Sequence, residues 1–332
     1  MATKFKVYVI RPVRNFVIYH FLHSIFLIGQ LMPRRPLLWW HGLLATPVYY
    51  SLRKIRKTIE HNLTIAFGKE KQKGEYNEIG RRMFISLAKT FTDYALFWKM
   101  KTREQFSRYF KFEGEENLRA AYAKGKGVLC LVTHTPGWEF SAIMPPILGY
   151  KSMGVSSRIK NPALDKLMIS LRETRGMANI TRDHCYNTLV ERLKKGECLI
   201  IMIDQDSKNI RGEFLQFFGH EAYTPIGCAR LAMDTGAPIV PMYTIRNDAD
   251  NTYIFKMLPE IPFEIKATDL ETICYNTQKH NDAIEQIIRE HPEQWVWMHE
   301  RWKTTPEILR QHLEGKRIAK EKQQQQELSL KH

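Results

Sequence analysis

Residues 127–139 read GVLCLVTHTPGWE, and the fold of the chain turns on them. From Gly127 to Thr133 the run is apolar without alternation and has the length of a strand. Such a strand has to be covered on both faces, because a half-exposed one alternates apolar and polar side chains. Pro136 and Gly137 then break the run, and Trp138 and Glu139 open a helix. The same signature returns at 198–203 and 239–245, with shorter strand patterns at 153–156 and 253–258. Helical patterns fill the intervals at 76–99, 115–124, 142–148, 161–176, 184–195 and 226–235. Buried strands alternating with helices predict an α/β fold, a mostly parallel central sheet flanked by helices. In sheets of this kind, chemistry gathers where strands end.

A chain of 332 residues with 44% hydrophobic content can bury a full core, which excludes disordered, collagenous and disulfide-scaffold classes. Its five cysteines form an odd set without a C-x-x-C pair, as expected of reduced, buried thiols, and no Cys/His cluster at ligand spacing suggests a metal. The net charge of +15 is lopsided: residues 1–60 carry ten basic side chains, ten aromatics and one acid, Glu60. Basic and aromatic residues together favour an anionic membrane surface over a nucleic-acid groove, since amphipathic rings settle among headgroups. Residues 16–31 (FVIYHFLHSIFLIGQL) are apolar over sixteen positions between basic flanks. That is short of the roughly 20 residues a span requires, so the segment crosses with a tilt, lies in the interface, or is a buried core helix. No small-residue cleavage site follows it, which disfavours a signal peptide. The organisation expected is a basic, aromatic membrane anchor at 1–60, a catalytic domain at 61–306, and a polar helical or disordered tail at 307–332.

His134 leaves the first buried strand and Glu139 follows it by five residues. The spacing is weak by itself, since twelve histidines and thirty-five acids in 332 residues give about 1.3 such pairs by chance and the chain has two. The second, His280 with Glu285, sits in an amphipathic helical stretch and reads as surface. His134 differs in context, because the turn at Pro136 and Gly137 lets the chain fold back and bring a carboxylate to the imidazole. An imidazole near neutral pKa, fixed by a carboxylate, is a general base for a hydroxyl nucleophile. A histidine that only caps the helix is the alternative. No G-x-S-x-G elbow is present, which argues against an α/β-type serine hydrolase.

Further blocks follow in order. Asn161-Pro162-Ala163-Leu164-Asp165 leads to Arg172 and Arg175 on one helix, and strand 198–203 ends in Asp204-Gln205-Asp206. Then come Gly212-Glu213-Phe214-Leu215-Gln216-Phe217-Phe218-Gly219, the run Thr235 to Pro241, and Trp295-Val296-Trp297-Met298-His299-Glu300-Arg301-Trp302-Lys303. In order and wording, residues 76–306 resemble the late acyltransferases of lipid A biosynthesis, the lauroyl/myristoyl family with an H-x4-D/E motif. Each block alone is weak; the set is specific.

The resemblance implies that His134 is the general base with Glu139 as its partner, in a glycerol-phosphate-acyltransferase-like fold. It implies a substrate-binding set of Arg172, Arg175, Asp204, Asp206, Gly212, Phe214, Phe217, Phe218 and Gly219. An arginine fork at 172 suits a phosphate on a glycolipid or on a carrier's pantetheine arm. Asp204 would position Arg172 or a substrate hydroxyl, or cap the next turn. The 212–219 segment would be an acceptor loop whose phenylalanines wall an acyl chain, although Glu213 and Gln216 are more polar than such a wall needs. His299, Glu300 and Arg301 would be a structural signature, with an exposed ion-pair group as the ordinary reading. The implied reaction is O-acylation of a lipid A precursor or related glycolipid from an acyl thioester, with acyl-carrier protein or coenzyme A as co-substrate and no resident cofactor or metal. The implied partners are acyl-carrier protein, a lipid acceptor and a membrane surface rather than nucleic acid. The implied location is the cytoplasmic side of a bacterial inner membrane. Acylation of a lysophospholipid, ornithine lipid or inositol glycolipid, or a non-catalytic basic binding protein, are the alternatives.

Overall fold

In the computed structural model the run that anchors the sequence argument becomes a strand buried at all five positions, Val128–Val132. The structure describes residues 32–329 apart from Lys69, Lys160, Asp183 and His184, so the apolar 16–31 segment lies outside the described residues. In chain order the elements are α1 (Arg34–Ser51), α2 (Arg53–Phe67), α3 (Lys73–Leu96), a 3-10 turn (Phe97–Lys99), α4 (Arg103–Phe106), β1 (Phe110–Glu113), α5 (Glu115–Tyr122) and β2 (Val128–Val132). They continue with α6 (Trp138–Ile147), β3 (Ser152–Ser156), α7 (Pro162–Glu173), β4 (Met177–Thr181), α8 (Tyr186–Lys194), β5 (Cys198–Ile201), β6 (Gly212–Phe217) and β7 (His220–Pro225). The last are α9 (Gly227–Thr235), β8 (Ile239–Asn247), β9 (Thr252–Met257), α10 (Asp269–Glu290), a 3-10 turn (Pro292–Gln294) and α11 (Pro306–Ser329).

Seven strands form one sheet in the order β1-β9-β8-β2-β5-β3-β4. β8, β2, β5, β3 and β4 run parallel. β9 reverses against β8, and β1 runs with β9. The sheet is therefore mostly parallel, with two reversed strands at one edge. Strand β2 feeds two cores by alternation: Leu129 and Leu131 join one apolar cluster, and Val128, Cys130 and Val132 join the other. Each such side chain contributes about 1.5–3 kcal/mol by leaving water, which is why a continuous apolar strand settles in the centre of a covered sheet.

Local signals place the helices. Gln72 and Glu75 form a capping box at the start of α3, and Thr268 with Glu271 does the same for α10. Asn161 caps α7 through the N–H groups of Ala163 and Leu164, with Pro162 pre-set for the first turn.

The boundary expected at residue 60 falls inside α2. Helix α1 lies along α3 through Leu38, Gly42, Ala45 and Tyr49, and Ile59, Leu63 and Phe67 of α2 enter the core. The approach of α1 to α3 is close, since a Cβ on Gly80 would come within 2.6 Å of the Tyr49 hydroxyl. At the other end of α1, the Arg34 guanidinium forks onto Asp93 at 2.6 and 2.8 Å. The described part of the 1–60 segment is thus packed against the domain. Among the described residues no helix is long and apolar enough to cross a membrane. The polar tail is helical through Ser329 as part of α11. All five cysteines are free, with Cys130, Cys198 and Cys228 buried and Cys185 and Cys274 half-buried.

Candidate active site

Parallel strands that start in register also end side by side. Leu131 of β2 pairs with Ile201 of β5. Continued three residues beyond that pair, the register sets His134 against Asp204. The turn that carries His134 is held from below by the neighbouring strand β8. Thr135 donates its hydroxyl to the Thr244 carbonyl at 2.8 Å, and Ser141 shares a 2.8 Å hydrogen bond with the Thr244 hydroxyl. Position 137 has to be glycine, because a Cβ there would sit 2.8 Å from Thr244 side-chain carbons.

Asp204 is fully buried. Its carboxylate accepts the His134 main-chain N–H at 2.7 Å and approaches the imidazole Nδ1 at 2.6 Å. It also accepts the indole N–H of Trp295 at 2.9 Å. Burial pushes the Asp204 carboxyl up, but the His134 charge and the donors from His134 and Trp295 outweigh burial and hold it below the ordinary carboxylate range. With Nδ1–H given to the carboxylate, the neutral ring carries its lone pair on Nε2. No hydrogen bond occupies Nε2 among the described residues, and 19% of the side chain remains exposed. This is the arrangement a general base needs.

The imidazole and Glu139 are not each other's partners. Glu139 stands in the first turn of α6, and both its oxygens are taken by Arg172 of α7: Nε donates to Oε2 at 3.0 Å and Nη2 to Oε1 at 2.5 Å. The Trp138 indole adds a 3.2 Å hydrogen bond to Oε1. Trp138 bridges the two pairs, its ring 6.0 Å from the His134 ring and 5.6 Å from exposed Phe91. Tyr94 lies beneath, its hydroxyl pushed up first by burial and then by the Glu139 charge. The expected pair is replaced by two crossed pairs, His134 with Asp204 and Glu139 with Arg172. Register supplies the first, and a helix-to-helix fork supplies the second.

The remaining expected site residues divide. Arg175 is buried and directs its fork to main-chain carbonyls of Phe97, Leu171 and Met100, under the Tyr94 ring, so its donors are consumed in tying α7 to the end of α3. Asp206 accepts the Thr304 N–H and hydroxyl at 2.8 and 2.6 Å, which fixes the segment entering α11. The segment from Gly212 to Gly219 is strand β6 and the turn of a β-hairpin with β7 rather than an open loop. Its turn needs positive φ at Phe218 (54°) and Gly219 (71°). Phe217 and Phe218 are buried among Trp295, Trp297, Trp302 and Phe67. They form core, not a wall for an acyl chain, because that many large aromatic faces bury more favourably against one another than against solvent. Phe214 is half-buried against Tyr223. Gly212 is a close approach, since a Cβ would meet the Thr224 carbonyl oxygen at 2.5 Å.

His299, Glu300 and Arg301 also separate. Only Glu300 makes the exposed ion pair, with Lys303. Arg301 is fully buried, donating to the Tyr223 carbonyl and the Thr224 hydroxyl, and burial pulls it down to about 10. His299 approaches the Asp206 carbonyl at 3.0 Å through Nε2, and burial lowers it, with the nearby His134 charge acting in the same direction. Trp295, the third donor to Asp204, is the site residue that sequence reasoning left within a family block without a role. Among the described residues no three His, Cys, Asp or Glu side chains group as a metal site would require.

The chain matches the family model described as bacterial lipid A biosynthesis acyltransferase over residues 4–304. It is 27% identical over 287 residues to a lipid A biosynthesis lauroyltransferase of Escherichia coli K12, covering 81% of this chain and 90% of the relative. It is 25% identical over 249 residues to lipid A biosynthesis acyltransferase 2 of Shigella flexneri, covering 74% and 77%. A phosphatidylinositol mannoside acyltransferase of Mycobacterium tuberculosis H37Rv is 25% identical over 193 residues, covering 57% and 58%.

Proposed function

Because the chain belongs to the bacterial lipid A biosynthesis acyltransferase family, we propose that it transfers a fatty acyl group from a thioester on acyl-carrier protein to a hydroxyl of a lipid A precursor or related glycolipid at the inner face of a bacterial inner membrane. The observation that carries this reading is the His134–Asp204 pair at the ends of two parallel strands, with Nε2 left as a base. The acceptor hydroxyl gives its proton to Nε2 as its oxygen attacks the thioester carbonyl carbon. Asp204 stays ionised and stabilises the imidazolium, while the tetrahedral oxyanion forms. Collapse breaks the C–S bond, and the departing thiolate of the carrier takes the proton back. The products are an ester and a free thiol, with no acyl-enzyme between them. Arg172, held by Glu139 through Nε and Nη2, keeps Nη1 for a substrate phosphate or the oxyanion.

Membrane contact is supported by the outer face of α1. Trp39, Trp40, Leu43, Leu44 and Val48 are exposed there, Trp39 by 65%, while the opposite face is buried on α3. Arg35, Arg53 and Lys57 flank that face and complement anionic headgroups. Exposed Phe91 and half-buried Trp138 continue the apolar surface toward His134. The mycobacterial relative favours an inositol glycolipid as the second acceptor class to assay. The test is incubation of purified protein with acyl-carrier-protein thioesters and each acceptor, with products read by mass. An acylated glycolipid supports the reading, and no ester on any hydroxylated lipid defeats it.

A further inference from the structure

A cleft of ≈ 600 Å³ opens between the first turns of α2, the turn after β5 and the segment leading into α11. Lys54, Lys208 and Lys303 line it. Lys303 is engaged by Glu300 at 2.5 Å, whereas the Lys54 and Lys208 side chains have neither ion pair nor hydrogen bond among the described residues. The main-chain N–H groups of Ser207, Lys208 and Asn209 donate to no described acceptor either. Unspent donors of this kind are met by water or by a ligand.

The walls are braced. Asn62 donates to the His299 and Trp297 carbonyls at 2.7 Å each, His299 is tied to the Asp206 carbonyl, and Thr304 occupies both Asp206 carboxylate oxygens. The cleft wall lies near the reacting end of the site, since His299 in that wall feels the His134 charge. Asp204 holds the His134 ring, and Asp206, two residues further, holds the cleft wall.

We infer that this cleft seats a phosphorylated sugar, the headgroup of the lipid acceptor; the inference rests on the acyltransfer reading above. The lining is mixed, and that selects the ligand class. Two unpaired ammonium groups and free amides suit phosphate oxygens. The Glu300 carboxylate, Ser207 and Asn209 suit ring hydroxyls, and Ile55 and Met298 offer apolar contact toward the lipid. The volume lies within the range of small-ligand sites. A pantetheine arm would bring a phosphate, but not the array of hydroxyls that this lining can satisfy.

The test is the double substitution Lys54→Gln/Lys208→Gln, at two exposed, unpaired positions, with Lys111→Gln on the edge strand β1 as control. In acyl-transfer assays the double variant raises KM for a phosphorylated glycolipid acceptor about tenfold, leaving kcat within about twofold and KM for the acyl thioester unchanged. A rise in the thioester KM instead, or no rise in either, overturns the assignment. A second readout needs no turnover: saturation-transfer NMR with glucose 1-phosphate. Contact with the wild type and the Lys111 control that is lost in the double variant supports the cleft. Equal contact in all three, or none, overturns it. Protein that binds glucose 1-phosphate through these lysines yet acylates nothing keeps the cleft assignment and defeats the acyltransfer reading.

Discussion

The carboxylate that holds the His134 imidazole belongs to Asp204, seventy residues away in sequence and 2.6 Å from Nδ1. Glu139, five residues from His134, serves Arg172 instead. Two carboxylates therefore have two separate tasks, one orienting a base and one holding a cation.

Asp204→Asn keeps the size of the side chain but supplies an N–H where Nδ1–H has been accepted, which favours the wrong tautomer. The expected result is a fall in kcat of about 10²–10⁴ with an unaltered circular dichroism spectrum. Activity within about twofold of wild type would show that the carboxylate does not act through the ring.

Arg172→Met leaves the Glu139 carboxylate buried without its fork, beside the Trp138 indole, the Tyr94 hydroxyl and the Arg175 charge, and costs about 3 kcal/mol of stability in denaturant unfolding. Adding Glu139→Gln removes the orphaned charge and recovers part of that loss, while acyl transfer stays low in both variants. A double variant as unstable as the sum of the single ones would mean that the two side chains are uncoupled.

What could be read from the chain, and what could not, follows from the range of the forces involved. The strand leading to His134 was legible because a continuous apolar run declares burial by itself. The α/β alternation was legible for the same reason. The partnership with Asp204 was not, since it depends on β2 and β5 lying adjacent in parallel register, and neither strand carries that information alone. Phe217 and Phe218 were expected to wall an acyl chain because their block resembles an acceptor loop of the family; their burial depends on Trp295, Trp297 and Trp302 from the far end of the chain. Arg175 differs from Arg172 by less than one helical turn, and only the position of the 97–100 carbonyls decides which of the two is consumed in structure. Strands β1 and β4 are short edge strands with mixed patterns, and pairing rather than apolar content makes them strands.

His280, expected at the surface, is instead fully buried on α10 and gives a pH dependence with a definite sign. Burial, then the neighbouring Lys279 charge, lowers it to about 3, and neither ring nitrogen has a hydrogen-bond partner among the described residues. The unfolded chain protonates this histidine near 6.5 and the folded one only near 3, so the unfolded state binds the extra proton between those values. This residue contributes nothing above pH 6.5 and destabilises the fold as pH falls, by about 1.4 kcal/mol per unit, until the folded pKa is reached. His280→Phe should flatten that part of the stability curve measured by urea unfolding from pH 7 to pH 4. An unchanged slope would remove His280 as its source.

Trp39→Ser/Trp40→Ser removes two large exposed rings from the outer face of α1 without touching Leu38, Ala45 or Tyr49 beneath. Flotation with vesicles containing anionic lipid should show about tenfold weaker association, because interfacial affinity follows buried apolar area. Turnover of detergent-dispersed acceptor should remain. Undiminished flotation would assign membrane contact to another surface.

The most direct measurement is the kcat of purified His134→Ala with an acyl-carrier-protein thioester and a lipid A precursor, the product ester quantified by mass and the melting temperature recorded in parallel. The account predicts a loss of about 10²–10⁴ in kcat at an essentially unchanged melting temperature. Wild-type turnover from the folded variant would contradict it.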